Sequence, residues 1–377
     1  MNIELPISKS IANRLLILQA IHGDGLLAVS ADMPDDVQIL HRALTDINRQ
    51  SPSLTDIHRI NLGNCGTAMR FLTAYCAHLE GQTTILDGVE RMHHRPLGQL
   101  VEALREIGAQ IEYLGEEGFP PLRIIGCALD KHRIVRIDNP LSTQFVSALL
   151  LIGANVQTNS TSPYINITRE IIAQYLQRTT RAIYSEQRER TTASKASELI
   201  ESDWSSAAFW YEYVALHGGE IHLPGLFRDS LQGDKVVADI FTHLGVQTQY
   251  TSKGVTIFST GVADLQSIVA RSIAQRSAEE ILHQDFSACP DLYPAVALTC
   301  ERLGITLHAT GTESLSIKES DRLRAVREHL TDHDHRMAMA LLVAGYPVDD
   351  TDCIAKSYPR FLEQWQAIQT SSPENLR

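Results

Sequence analysis

The chain has 377 residues, more than one hydrophobic core usually serves, so two domains are expected. With 44% apolar and 21% charged residues it is an ordinary globular composition, and no apolar run is long enough for a transmembrane helix. A formal net charge of −12, with no basic run to offset it, opposes binding to nucleic acid, so neither a nucleic-acid nor a membrane partner is expected.

The opening Met1-Asn2-Ile3-Glu4-Leu5-Pro6 has neither the basic flank nor the apolar run of a signal peptide, which points to the cytoplasm. Cys65, Cys76, Cys127, Cys289, Cys300 and Cys353 are scattered, without C-x-x-C pairs or metal-ligand spacing, and are expected as reduced thiols. The basic residues that stand out are single and widely separated. That pattern suits a small anionic ligand better than a polymer.

In chain order, Ser8-Lys9-Ser10-Ile11-Ala12-Asn13-Arg14 opens an amphipathic helix, with Lys9, Ser10 and Arg14 within about one turn of each other. Gly63-Asn64-Cys65-Gly66-Thr67-Ala68-Met69-Arg70 opens a second, and its glycines allow close backbone approach to a ligand. Arg91 and Arg95 bracket Met92-His93-His94 ahead of Pro96, which suits the first turn of a helix. Residues 100–126 spell helix, glycine stop, strand, glycine turn and strand. Leu141-Ser142-Thr143-Gln144-Phe145 starts a third helix of the small-polar type and Asp203-Trp204-Ser205-Ser206 a fourth. Such starts aim free N–H groups and a positive dipole end outward, although each alone is equally a plain N-cap.

The helix–glycine–hairpin pattern returns at 236–261, ending on Gly261, and the repetition implies several α+β units. Two places break it. After 171–176 the polar stretch 177–197 lacks the expected strand pair, and after 323–330 the chain reaches Asp334-His335-Arg336 with no room for a hairpin. Either those strands are lost or they are missing from the sequence at hand.

Lys318-Glu319-Ser320-Asp321-Arg322 sets Lys318 and Arg322 four apart on the first turns of a helix, with Glu319 beside them. The bland alternative is a solvated charged face. Asp291 follows Cys289-Pro290, and Lys356 follows Asp352-Cys353-Ile354-Ala355. His93, His94, His333 and His335 lack the carboxylate spacing of a metal site, and no phosphate loop, dinucleotide fingerprint or nucleophile elbow occurs.

Taken together and in order, these segments resemble the 5-enolpyruvylshikimate-3-phosphate synthase family of enolpyruvyl transferases (3-phosphoshikimate 1-carboxyvinyltransferases). The stretches that carry the resemblance are Ser8-Lys9-Ser10-x-x-x-Arg14, Leu62 to Arg70, Arg91-Met92-x-x-Arg95-Pro96, Leu141 to Phe145, Lys318 to Leu323, Asp334 to Met339, and Ala355-Lys356. The resemblance implies an α+β, two-lobed fold of repeated βαβαββ units, an inside-out α/β barrel, with lobes at 9–201 and at 1–8 plus 202–377 and a hinge near residues 9 and 202. It implies shikimate 3-phosphate and phosphoenolpyruvate as substrates, each with a carboxylate and a phosphate of about −1.5 to −2 charge. Their counter-charges would be Lys9, Arg14, Arg95, Lys318, Arg322, Arg336 and Lys356.

By position, Lys9, Ser10, Arg14, Ser142, Thr143, Gln144, Thr161, Asp291, Ser314 and Lys318 would hold shikimate 3-phosphate. Lys9, Gly66, Arg95, Gln144, Arg322, Arg336 and Lys356 would hold phosphoenolpyruvate. The family mechanism makes Lys9, Asp291 and Glu319 catalytic: the 5-hydroxyl attacks C2 with Asp291 as base, while Glu319 protonates C3. No metal or organic cofactor is implied, and a monomer is expected. Competing assignments are the sister transferase acting on UDP-N-acetylglucosamine, which uses a loop cysteine that 88–96 lacks, an inactive anion-binding relative, and RNA end-processing, which the net charge disfavours.

Overall fold

The segments Lys9–His22, Gly66–His78 and Trp204–His217 carry apolar residues on every face, the sequence of helices enclosed by other elements. The computed structural model describes residues 1–49, 57–184, 200–260 and 281–371, and it buries these helices on all sides. The chain divides into two compact units, one of Lys9–Ala31 with Asp36–Ile200, the other of Met1–Ser8, Asp32–Asp35 and Glu201–Arg377. Among the described residues no helix is long and apolar enough to cross a membrane.

The first unit runs α1 (Lys9–His22), α2 (Asp35–Asn48), β1 (Ile57–Asn61), α3 (Gly66–His78), β2 (Thr83–Asp87), a 3-10 turn at Glu90–His94, α4 (Gly98–Glu106), β3 (Gln110–Tyr113) and β4 (Leu122–Ile125). It continues with β5 (Ile134–Arg136), α5 (Thr143–Leu151), β6 (Asn155–Gln157) and α6 (Pro163–Tyr184). Helix α1 is buried without a break from Ile11 to Gln19, so it is a core helix and not the amphipathic one its start suggests. One sheet has the order β1-β2-β4-β3, with β1 parallel to β2 and the other pairs antiparallel, and β5 lies parallel to β6.

The second unit runs α7 (Trp204–His217), β7 (Glu220–Pro224), a 3-10 turn at Gly233–Val236, α8 (Val237–Thr242), β8 (Val246–Thr251) and β9 (Gly254–Ser259). Then come β10 (Ile281–Asp285), a 3-10 turn at Pro290–Leu292, α9 (Tyr293–Leu303), β11 (Thr306–Thr310) and a 3-10 turn at Leu315–Ile317. Helices α10 (Arg322–Glu328) and α11 (His335–Val343), a 3-10 turn at Asp352–Lys356 and α12 (Phe361–Ser371) complete it.

The two helix–glycine–hairpin segments are present, as α4-β3-β4 and α8-β8-β9. Gly108 and Gly245 end their helices at φ 102° and 83°, values that cost an L side chain dearly. In both units the second hairpin strand is the central one, giving β2-β4-β3 and β7-β9-β8. Gly261, the expected end of the second segment, lies outside the described residues.

At the two breaks in the pattern the chain runs differently. Of the stretch 177–197, where no strand pair is expected, residues 177–184 continue helix α6, and 185–199 lie outside the described residues. Helix α10 passes to α11 through a short turn in which His329, Asp332 and His333 take φ of 52°, 48° and 55°. Asp and His are among the few side chains that tolerate this left-handed region. Pro96 is not in the first turn of a helix: Glu90–His94 is a 3-10 turn and α4 begins only at Gly98.

Gly126, just past β4, meets the end of α3 so closely that a Cβ there would lie 1.7 Å from Leu79 O and 2.9 Å from Cys76 O, both backbone atoms. Gly126→Ala is therefore expected to lower stability by about 1–3 kcal/mol, measured as a lower urea midpoint. In α7, Glu212 is fully buried with neither carboxyl oxygen hydrogen-bonded among the described residues, and burial pushes its carboxyl well above the ordinary value. The folded state then holds the proton more tightly than the unfolded chain, so this group's contribution to stability falls as pH rises above about 4.3. Glu212→Gln should flatten that fall: its stability advantage over the parent, read by urea unfolding, grows from about pH 5 to about pH 8.

Candidate active site

In the first unit the cations sit at helix starts. Lys9 is the first residue of α1, and its Nζ lies 3.3 Å from Asp36 Oδ2 on α2. Arg14, one turn on, is 2% exposed and is held by neutral acceptors only. Its Nε donates to Thr168 Oγ1 at 2.6 Å, Nη1 to Ser10 O at 2.6 Å, and Nη2 to Ser147 Oγ at 3.2 Å and Tyr164 O at 3.1 Å. Among the described residues no carboxylate lies within ion-pair distance of it, and burial lowers its pKa to about 10. The guanidinium thus ties the first turns of α1 and α6 to the middle of α5.

Helix α3 starts at Gly66 with Cys65 as its N-cap, the sulfur accepting from Ala68 N at 3.4 Å. Two guanidinium groups crowd this start: a Cβ on Gly66 would lie 2.3 Å from Arg70 Nη1 and 2.5 Å from Arg95 Nη2. Arg95 donates Nη1 to Asn64 O at 3.1 Å, while its Nε is buried without a partner among the described residues. Arg70 donates to Gln144 Oε1 at 3.2 Å, and the Gln144 amide donates to Thr67 Oγ1 at 2.9 Å. Gln144 follows Ser142, the N-cap of α5, and Thr143; Ser142 Oγ accepts from Gln144 N at 3.3 Å. Thr161 is exposed in the loop before α6. So Gly66, Arg95 and Gln144 form one group with Arg70 and Thr67, and Ser10 and Arg14 form another with Ser147 and Thr168.

The second unit handles its cations in the opposite way. Arg322, the first residue of α10 and 1% exposed, meets three carboxylates. Its Nε donates to Asp334 Oδ2 at 2.8 Å, Nη1 to Asp291 Oδ1 at 2.8 Å, and Nη2 to Glu319 Oε2 at 3.3 Å. Burial disfavours its charge, but Asp334, Asp291 and Glu319 outweigh burial and raise its pKa. Asp291 also receives Arg336 Nη2 at 2.9 Å and Lys318 Nζ at 3.5 Å, and Glu319 Oε1 receives Lys356 Nζ at 2.9 Å. Asp334 is the N-cap of α11, accepting Arg336 N at 2.9 Å, so one carboxylate fixes both the helix start and Arg322. Ser314 is half-buried just before the Leu315–Ile317 turn.

Two expectations change here. Lys318 and Glu319 precede α10 instead of riding its first turns: Asp321 caps the helix and Lys318 has extended backbone. The solvated-face alternative also fails, because Arg322 is buried and Lys318 reaches across to Asp291. The expected cations of this unit, Lys318, Arg322, Arg336 and Lys356, all carry carboxylate partners and are not bare counter-charges.

No role for Asp36, Arg70, Thr67, Asp334 or Asp234 was legible in the sequence alone. Arg70 and Asp334 stand inside motifs already singled out, at the end of the Gly63 to Arg70 stretch and at a capping position. Asp36 carries no local signal, being 27 residues from Lys9. Asp234 is buried against Ser205, whose hydroxyl donates to it; burial, and then nearby Asp291, push its carboxyl up to about 7 against the pull of Arg336. Among the described residues no group of three or more His, Cys, Asp or Glu is placed to hold a metal ion.

The chain matches the family model described as EPSP synthase (3-phosphoshikimate 1-carboxyvinyltransferase) over residues 1–332 and 328–365, two stretches that meet in the α10–α11 turn. It is 37% identical to the 3-phosphoshikimate 1-carboxyvinyltransferase of Bacteroides fragilis strain YCH46, covering 95% of this chain and 93% of that protein. It is 30% identical to the enzyme of the same name from Vibrio cholerae serotype O1 strain M66-2, covering 97% and 96%. Its fold is similar to an EPSP synthase structure from Acinetobacter baumannii, with a TM-score of 0.63 at 19% identity over 97% of this chain and 95% of that one. On this family match and these near full-length relatives, the chain belongs to the EPSP synthase (3-phosphoshikimate 1-carboxyvinyltransferase) family.

Proposed function

We propose that the 3-phosphoshikimate 1-carboxyvinyltransferase activity of this family member is carried by Asp291 and Glu319 working on either side of Arg322. The observation that carries this is the shared guanidinium: Arg322 donates to both carboxylates, at 2.8 Å and 3.3 Å, and so fixes their separation. Asp291, facing Lys318, Arg322 and Arg336, is the base that takes the proton of the 5-hydroxyl of shikimate 3-phosphate. Glu319 gives a proton to C3 of phosphoenolpyruvate as C2 is attacked. In the tetrahedral adduct the C2–O bond to phosphate then breaks as the C3 methyl returns a proton to Glu319, and phosphate leaves with the proton that Asp291 had taken. Stabilisation of the developing charge by fixed cations is the larger contribution.

In the first unit the residues proposed for shikimate 3-phosphate are Lys9, Ser10, Arg14, Ser142, Thr143, Gln144 and Thr161, and those for phosphoenolpyruvate are Lys9, Gly66, Arg95 and Gln144. In the second unit they are Asp291, Ser314 and Lys318 for the former substrate and Arg322, Arg336 and Lys356 for the latter. What supports the first-unit assignments is chemistry: Arg14 and Arg95 face no carboxylate among the described residues, and their groups stand at the starts of α1, α3 and α5. Bidentate Arg suits a planar carboxylate or a phosphate, and Lys supplies a point charge.

Each unit would be built on the family's βαβαββ repeat, helices inside and sheets outside. The enclosed α1, α3 and α7 and the half-exposed strands β1, β10 and β11 support this. The protein would work as a cytoplasmic monomer.

The assay is release of phosphate from phosphoenolpyruvate in the presence of shikimate 3-phosphate. Lys9→Met, Arg95→Ala and Glu319→Gln are each expected to lower turnover by about tenfold or more with folding retained. Unchanged turnover in any of them removes that residue from the site. Gly66→Ala has a different signature, since the atoms nearest the added methyl are the ends of two flexible side chains, Arg70 and Arg95. It should raise KM for phosphoenolpyruvate by about tenfold, the worth of one charge-assisted hydrogen bond, while the unfolding midpoint barely moves.

A further inference from the structure

Two of the cations proposed for phosphoenolpyruvate, Lys356 and Arg322, also hold Glu319. Lys356 Nζ lies 2.9 Å from Glu319 Oε1, and Arg322 Nη2 lies 3.3 Å from Oε2. A phosphoryl dianion drawn to Lys356 and Arg322 is therefore drawn to within a few ångströms of a carboxylate that is 12% exposed. Two anions on the same cations repel, and the weaker acid relieves the repulsion by taking a proton. Among the described residues, the other charged groups that meet Arg322 or Asp291 keep this sign. Asp291 and Asp334 face it through Arg322 and add negative charge, while Lys318 and Arg336 are engaged by Asp291.

We infer that arrival of the phosphoryl group loads Glu319 with its proton, so that binding of phosphoenolpyruvate is coupled to proton uptake at this side chain. The inference rests on Glu319 as the donor to C3. The proton balance over a turnover is closed. Glu319 takes one proton from solvent on binding, lends it to C3 and recovers one from the C3 methyl as phosphate leaves. Asp291 passes the hydroxyl proton to the departing phosphate, after which Glu319 returns its proton to solvent. Coupling is reciprocal, so a site with protonated Glu319 must also bind the dianion more tightly than one with ionised Glu319. A permanently neutral side chain of the same shape should then make the site bind the dianion more tightly than the parent does, although turnover is lost. A residue that only braces Lys356 and Arg322 would do the reverse, because its removal would let those cations drift.

The experiment is titration calorimetry of the full chain with phosphoenolpyruvate alone, in buffers of different ionisation heat, which gives protons taken up per ligand bound. Phosphoenolpyruvate brings the same titration of its own to every variant, so differences between variants report the protein. Glu319→Gln is expected to lose part of the uptake seen with the parent and to bind phosphoenolpyruvate about fivefold more tightly, with turnover lost. Glu363→Gln, which removes a carboxylate from α12 with its side chain 67% exposed, should keep the parent uptake and affinity and so controls for net charge. Lost turnover with unchanged uptake and equal or weaker binding overturns the coupling and leaves Glu319 as the proton donor. Unchanged turnover removes Glu319 as donor, and the coupling falls with it. Circular dichroism of each variant separates these outcomes from misfolding.

Discussion

The placement of Arg322 among Asp334, Asp291 and Glu319 is the constraint on which the second unit's chemistry depends. A guanidinium at 1% exposure needs its N–H groups paired, and removing one partner of a buried ion pair costs several kcal/mol. The three carboxylates come from separate places: a 3-10 turn before α9, the segment before α10, and the cap of α11. Because the planar fork has fixed angles, it sets where each carboxylate can lie. Asp334 is buried deepest and also caps a helix, so it anchors Arg322; Asp291 and Glu319 are partly exposed and remain able to meet a ligand.

The two units use opposite electrostatics. Arg14 is buried against hydroxyls and carbonyls, which solvate a cation without cancelling it, and its lowered pKa is the mark of that environment. A group of this kind gains most from an incoming anion. In the second unit Lys318, Arg322, Arg336 and Lys356 each meet a carboxylate, so an anion gains less charge there.

Much of this was legible in the sequence because it is local. Three of the four small-polar helix starts are real caps, at Cys65, Ser142 and Asp203, since capping is a contact between near neighbours; before α1 the Ser8 hydroxyl is buried without a partner among the described residues. The helix–glycine–hairpin segments were legible for the same reason. What was not legible is long-range: the Lys9–Asp36 pair, the Arg14 cradle from residues more than 130 positions away, and the buried Asp234. Charge spacing also misled where backbone and sequence disagree. Lys318 and Arg322 are four apart, yet Asp321 caps the helix between them and sends Lys318 elsewhere.

The short α10–α11 connection bears directly on whether a chain without the second hairpin can keep its site. Arg322 begins α10 and Asp334 caps α11, so the turn between the helices sets the distance from one to the other. Here the turn is closed by three non-glycine residues in left-handed conformation, with Asp334 N bonded to Thr331 O at 2.9 Å and the Thr331 hydroxyl donating to Asp349. Such residues cost of order 1 kcal/mol each and persist only where surrounding contacts over-determine them. Their own side chains supply such contacts: His329 Nε2 meets Glu301 Oε1 at 2.9 Å, Asp332 meets Arg324 at 3.5 Å, and His333 meets Asp350. Where the strand pair is absent, these contacts hold the turn, and the turn holds Asp334 where it pairs with Arg322 at 2.8 Å.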